Sequence, residues 1–149
     1  VEYTETTSNL VDVDYNQGIK WLTRAAEKNH ELATWNLAKI YSSFWSGHRN
    51  EKKAFFWFKK SALLGSRECQ CKVGDMYSEG SGVTADFIRA YSWLSVSKTN
   101  GDPDAPKKLD LLIKRMSKEQ IAVGQVLASE LFNEIENRDE ESPVHTKFD

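Results

Sequence analysis

Three tryptophans, Trp21, Trp57 and Trp93, recur every 36 residues, and a constant interval of that size marks a chain assembled from stacked copies of one supersecondary unit. The copying shows around the last two. AFFWFKKSALLG, starting at Ala54, and AYSWLSVSKTNG, starting at Ala90, share Ala, Trp, Ser and Gly at the same relative positions. Such a chain builds its core locally, each unit covering its neighbour, because a pair of short helices buries too little apolar area to offset its own conformational entropy.

Stacked in rows offset by 36 from about Val11 to Ile113, the columns read as structural positions. Asp14, Asn50 and Asp86 share one column, and each has a short side-chain oxygen that can accept from the free amides of a helix start. Four residues on stand Gly18, Ala54 and Ala90, then the tryptophans, then Leu22, Phe58 and Leu94, a three-and-four spacing that makes one buried helical stripe. Asn29, Gly65 and Gly101 follow, the residue types that best accept the left-handed conformation at a helix end. A second stripe runs through Ala33/Cys69/Ala105, Leu37/Val73/Leu109, Ile40/Met76/Leu112 and Tyr41/Tyr77/Ile113.

The spacing therefore predicts an all-α chain of helix hairpins, with helices near 14–28, 31–44, 50–64, 68–79, 86–99, 103–115 and 117–136. The last opens with Ser117 and Gln120 in capping-box spacing, and Ile121, Val126, Leu127, Leu131 and Ile135 are expected on its buried face. It carries no tryptophan and leaves the period, as a terminal cap does. Trp21, Trp57 and Trp93 are expected to be buried alike, together with Tyr41 and Tyr77, while Gly80 and Gly82 shape a tight turn before Asp86. Nothing before Asp14 shows a helix stripe, so the helix of Trp21 is expected to need either VEYTETTSNL or a further upstream helix to cover its flank.

The 149 residues, 40% hydrophobic and 28% charged, suit one soluble domain. The 20 basic and 22 acidic residues are interspersed, so no polybasic face points to nucleic acid, and no apolar run is long enough for direct membrane insertion. Cys69 and Cys71 point about 200° apart on a helix and are expected as free thiols; with His30, His48 and His145 they offer no metal-site spacing, and no cofactor is expected.

YSEGSGVTADFIRAYSW, Tyr77 to Trp93, with its Tyr, Gly-x-Gly-Val turn, Asp and Ala-x-x-Trp, resembles the Sel-1-like repeat family, relatives of the tetratricopeptide repeat. The resemblance implies a right-handed α-α superhelix of about three repeats plus a capping helix, spanning 11–136, with residues 1–10 an extension or the remnant of an earlier repeat; residues 137–149, acidic, interrupted by Pro143 and without apolar periodicity, are expected as a disordered or loosely docked tail. It also implies a non-enzymatic adaptor or scaffold that binds another protein or peptide, in some bacteria a neutraliser of a toxic effector. MSKEQIA and the final helix are similar to the ends of bacterial members, which suggests a soluble protein of bacterial cytoplasm or periplasm.

Solenoids of helix pairs offer a concave surface lined by the first helix of each pair, and function resides in what that surface displays. On the helix after each tryptophan helix, the columns outside the buried stripe are Trp35, Lys39 and Ser42, followed one repeat later by Cys71, Asp75 and Ser78. Trp35, Phe44, Trp45 and Phe56 are aromatics in columns that elsewhere hold small or polar groups, and exposed aromatics anchor binding hot spots. The alternative is that these rings fill space in a turn that Phe44, standing in the column of Gly80, makes wider or whose helix it lengthens.

Two motifs imitate chemistry. Ser95-x-x-Lys98 has the spacing of penicillin-recognising serine enzymes, and a cysteine-rich branch of the family is associated with penicillin binding, so an enzyme of that type is the competing reading; its usual companions S-D-N and K-T-G do not occur. Gly80-x-Gly82 imitates a dinucleotide fingerprint without the strand that such a site requires.

Overall fold

The structure of the protein, a computed structural model, describes the backbone of residues 2–141 and the side chains of 14–138. Among the described residues there are seven helices and no strand: α1 (Glu2–Glu27), α2 (Glu31–Ser42), α3 (Glu51–Leu63), α4 (Arg67–Glu79), α5 (Phe87–Thr99), α6 (Ala105–Ile113) and α7 (Lys118–Glu141). Each helix from α1 to α5 packs on the next, and α7 turns back to lie against α5.

The helix boundaries repeat because their capping chemistry repeats. Asn50 and Asp86 accept from the amides of Lys53 and Arg89, each at 3.0 Å. At the other end, Asn29, Gly65 and Gly101 adopt φ of 61°, 105° and 86°. There the amides of His30, Ser66 and Asp102 reach back to the carbonyls of Ala25, Ser61 and Ser97 at 3.1, 3.2 and 3.0 Å, so one two-bond closure occurs three times in register. Ser117 and Gln120 form the reciprocal capping box, each side chain accepting from the other's backbone N–H.

Several expectations need correction. α1 runs continuously from Glu2, so Asp14 lies inside a helix and does not cap one, and residues 2–10 extend α1 instead of folding over Trp21. Trp57 and Trp93 are buried, but Trp21 is 63% exposed, because no helix packs on that flank of α1 among the described residues. Val126 is 59% exposed and leaves the buried face of α7, which is formed by Gly124, Leu131 and Ile135. α7 extends to Glu141, beyond the expected start of the tail, and residues 142–149 of that tail lie outside the described residues.

The core is a string of local interfaces. Gly74 of α4 lets Leu94 of α5 approach so closely that an added Cβ would sit 2.7 Å from it. Gly124 does the same for Tyr91, where a Cβ would meet the ring at 2.6 Å, and the buried Ser92 hydroxyl lies 3.2 Å from the Gly124 carbonyl. This contact takes α7 out of the repeat and onto α5. Across units, the Ser97 hydroxyl donates to the Arg67 carbonyl and the Asn100 amide donates to the buried Gln70 side chain.

The turns show how closely the units match. The backbone N–H of Asn50 donates to the Tyr41 carbonyl at 2.8 Å and that of Asp86 to the Tyr77 carbonyl at 2.9 Å, so both turns close through the same bond. α2 ends at Ser42, one residue earlier in the repeat than α4 at Glu79, so the turn of Phe44 is wider by one residue and α2 is not lengthened. The interior differs: the second turn uses left-handed Gly80 and Gly82, the first only Gly47.

Candidate functional site

α2, α4 and α6 lie one repeat apart and turn the same columns toward a common groove. Lys39 and Ser42 from α2, Cys71 and Asp75 from α4, and Lys108 from α6 line a cavity of about 240 Å³. A second cavity of about 160 Å³ continues it along Asp75, Ser78, Lys108, Leu111 and Arg115. Because Asp75 and Lys108 border both, the two form one groove across the units. The column Lys39, Asp75, Leu111 thus presents a cation, an anion and an apolar side chain in order along it.

An ion pair between Asp75 and Lys108 joins α4 to α6 at the middle of the groove. Burial by itself would lower the Lys108 pKa, but the hydrogen bond and negative charge of Asp75 outweigh it and hold the ammonium above its ordinary value. Burial pushes the neighbouring Cys71 thiol up to about 11, so it is protonated at neutral pH and is not a nucleophile there. Cys69 is buried and its thiol is also pushed up by burial; both are free.

Trp35 is half-buried against the core, and the Lys39 ammonium sits 4.2 Å from its ring centroid, so the indole supports a side chain of the groove. The Ser42 hydroxyl donates to the Lys39 carbonyl. Phe44 and Trp45, in the turn that follows α2, are 76% and 96% exposed. The Arg49 guanidinium covers one face of the Phe44 ring at 3.5 Å and pairs with Glu51. Trp45 shares its column with Ser81, whose hydroxyl donates to Glu51 at 2.8 Å and helps hold that carboxyl below its ordinary pKa. Phe56 is exposed but lies two residues from buried Ala54, on the opposite side of α3, edge-on to Trp57. The structure therefore gathers Trp35, Lys39, Ser42, Asp75 and Ser78, sets Phe44 and Trp45 just beyond Ser42, and leaves Phe56 apart.

Lys108 and Leu111 escaped the sequence reading. The charge pair of Lys108 with Asp75 spans 33 residues and not the repeat interval, so it leaves no mark in the columns. Leu111 was legible as the third member of the Lys39–Asp75 column.

Neither chemical motif is assembled. The Ser95 hydroxyl has no hydrogen-bond partner among the described residues, and Lys98 is exposed one turn away, whereas a serine nucleophile needs a base within hydrogen-bond reach. Gly82 packs its backbone against the start of α3, where a Cβ would fall 2.1 Å from the Glu51 carbonyl oxygen. Its role is to seat the repeat turn. No described helix is long and apolar enough to cross a membrane.

A run of helix hairpins with matched caps, matched turns and a groove along alternate helices defines an α-solenoid of the tetratricopeptide class. The Sel1 repeat profile matches residues 8–30, 32–66 and 67–102, more than half of the chain, and the protein belongs to the Sel1 repeat family. In that frame the units are α2–α3 and α4–α5, so the groove helices come first in each unit and the tryptophan helices second. The chain is 34% identical over 96 residues to chitin synthase regulatory factor 3 of Schizosaccharomyces pombe, a match covering 63% of this chain and only 10% of that protein. Its fold is similar to the crystal structure of a protective antigen from uropathogenic Escherichia coli with an SLR fold, at a TM-score of 0.71 and 22% identity, covering 88% of this chain and 29% of the other.

Proposed function

We propose that the protein is a non-catalytic interaction module that holds a segment of another protein in the groove of α2, α4 and α6. The observation that carries this reading is the display of Lys39, Asp75 and Leu111 at repeat spacing along one continuous depression. A segment lying along it meets a cation on an indole, a paired carboxylate flanked by Ser78, and an apolar anchor. Trp35, Ser42 and Ser78 shape the groove, and Phe44 and Trp45 extend it with aromatic surface, the residue type that concentrates binding energy. The mixed charges give register and partner discrimination more than affinity. The likeness to a regulatory factor supports a regulatory adaptor, and the narrower reading within that class is neutralisation of a toxic effector by covering its working surface.

Photo-crosslinking from position 42 or 78 tests the reading. A cross-linked partner, titrated as purified protein, should bind at least about tenfold more weakly to Lys39→Glu or Leu111→Ser, by about 1.4 kcal/mol, and unchanged to Lys59→Glu. Equal affinity for all variants would remove the groove from the account. Co-expression with the captured partner decides the narrower reading: relief of that partner's toxicity supports it, and a non-toxic partner refutes it.

A further inference from the structure

The tryptophan helices and α7 border a cavity of their own, away from the groove. Residues of α3, α5 and α7 line about 330 Å³, at the small end of the roughly 300–1,000 Å³ of ligand pockets and so of a size for a small molecule, not for a protein segment. It forms where α7 leaves the repeat: Gly124 seats that helix on Tyr91 and Ser92 of α5, and Leu131 of α7 then borders the opening together with Leu63 of α3.

Two buried side chains reach this cavity with unpartnered polar atoms. Tyr77 and Trp93 are only 5% and 4% exposed and both border it, yet neither the phenol hydroxyl nor the indole N–H has a hydrogen-bond partner among the described residues. The side-chain atoms sealed from solvent without a partner are the Ser61 and Ser95 hydroxyls, so those of Tyr77 and Trp93 open on the space their rings border. Burial raises the Tyr77 pKa against the pull of Arg89, and the phenol therefore keeps its proton and can donate at neutral pH.

The rim is charged in two halves. Lys59 on α3 and Arg89 on α5 bring cations, while Glu130 and Glu134, one turn apart on α7, bring carboxylates. Arg89 pairs with Asp86 and Glu134 with Arg138, each within its own segment, but Lys59 and Glu130 make no ion pair among the described residues. Lys59, Arg89 and Trp93 can only donate hydrogen bonds, whereas the two glutamates can only accept them.

We infer that this cavity binds a small zwitterion of amino-acid or dipeptide chemistry. Its carboxylate lies on Lys59, Arg89 and the donors of Tyr77 and Trp93, its ammonium on Glu130 and Glu134, and an aliphatic side chain against Leu63 and Leu131. A ligand with a single charge satisfies one half of the rim and is repelled by the other; a ligand with both charges fits both. The site is separate from the groove of α2, α4 and α6, so each reading can fail without the other.

The probe is leucyl-leucine, titrated calorimetrically into the full chain, with free leucine as a second arm that separates the two ligand sizes. Saturable binding of one or both is expected. Blocking the ammonium by acetylation or the carboxylate by amidation should weaken binding of the same probe at least about tenfold, because each removes hydrogen bonds between charged groups. Lys59→Gln and Glu130→Gln should weaken it by about the same factor, with circular dichroism matching the parent. Tyr77→Phe should also weaken binding while leaving the thermal melt unchanged, since the hydroxyl it removes has no partner in the fold. Lys107→Gln, at an exposed position of α6, should change nothing. Absence of saturable binding by both probes overturns the proposal, as does binding that neither blocking group nor Lys59→Gln diminishes.

Discussion

α1 and α3 carry one residue pattern and meet different surroundings. Trp21 and Trp57 occupy the same column, with a cation near each ring, Arg24 at 5.5 Å and Lys60 at 5.6 Å. One ring is 63% exposed and the other 9%. Burial in this fold therefore belongs to the stack and not to the unit, and a residue that is structural in the middle of the solenoid becomes surface at its end.

The difference gives the largest expected effect. Trp57→Ala and Trp93→Ala should each cost about 3–5 kcal/mol in urea unfolding, the loss typical of a large buried aromatic. Trp21→Ala should stay within about 0.5 kcal/mol of the parent. Similar losses at all three positions would erase the distinction between the two helices.

The two turns sharpen the comparison at smaller scale. Gly82 and Gly47 both have positive φ, 69° and 68°, yet a Cβ at Gly82 collides with Glu51 while nothing lies within 4 Å of one at Gly47. Gly47→Ala should cost about 1–2 kcal/mol for the left-handed backbone alone, and Gly82→Ala clearly more, since the turn must also lift from α3. Equal losses in parallel thermal melts would mean that the turn does not seat there.

Much of this is legible in the sequence alone. The period fixes the hairpins, because capping residues and left-handed helix ends are local chemistry, and Asn50, Asp86, Gly65 and Gly101 act in the structure as their columns require. Local chemistry fails where the neighbour decides the outcome. Asp14 has a capping side chain, but the helix continues through it. Trp21 has a core side chain without a core around it. In the groove, Lys39, Asp75 and Ser78 were readable as columns outside the buried stripe, but Lys108 was not, since its pairing depends on how far α6 leans across α4.

Smaller effects separate the two turns by pH and by surface. The hydroxyl of Ser81, aided by Arg49, lowers the pKa of Glu51, so its stabilising contribution is present above the unfolded-state pKa and is lost as pH falls through the folded-state value. Ser81→Ala should therefore lower stability modestly at neutral pH and flatten the acid limb of a stability–pH curve. An unchanged limb would detach Glu51 from the turn. Trp45→Ala, in the same column one repeat earlier, should leave stability within about 0.5 kcal/mol at every pH, its ring being 96% exposed.

The most direct test is hydrogen exchange at the indole N–H groups, resolved by NMR of the ¹⁵N-labelled chain with each tryptophan assigned by substitution. The stacked-hairpin account predicts that Trp57 and Trp93 exchange slowly, through opening of the stack, while Trp21 exchanges at rates near those of a free indole. Fast exchange at Trp57 or Trp93, or protection of Trp21 in the isolated monomer, would contradict it.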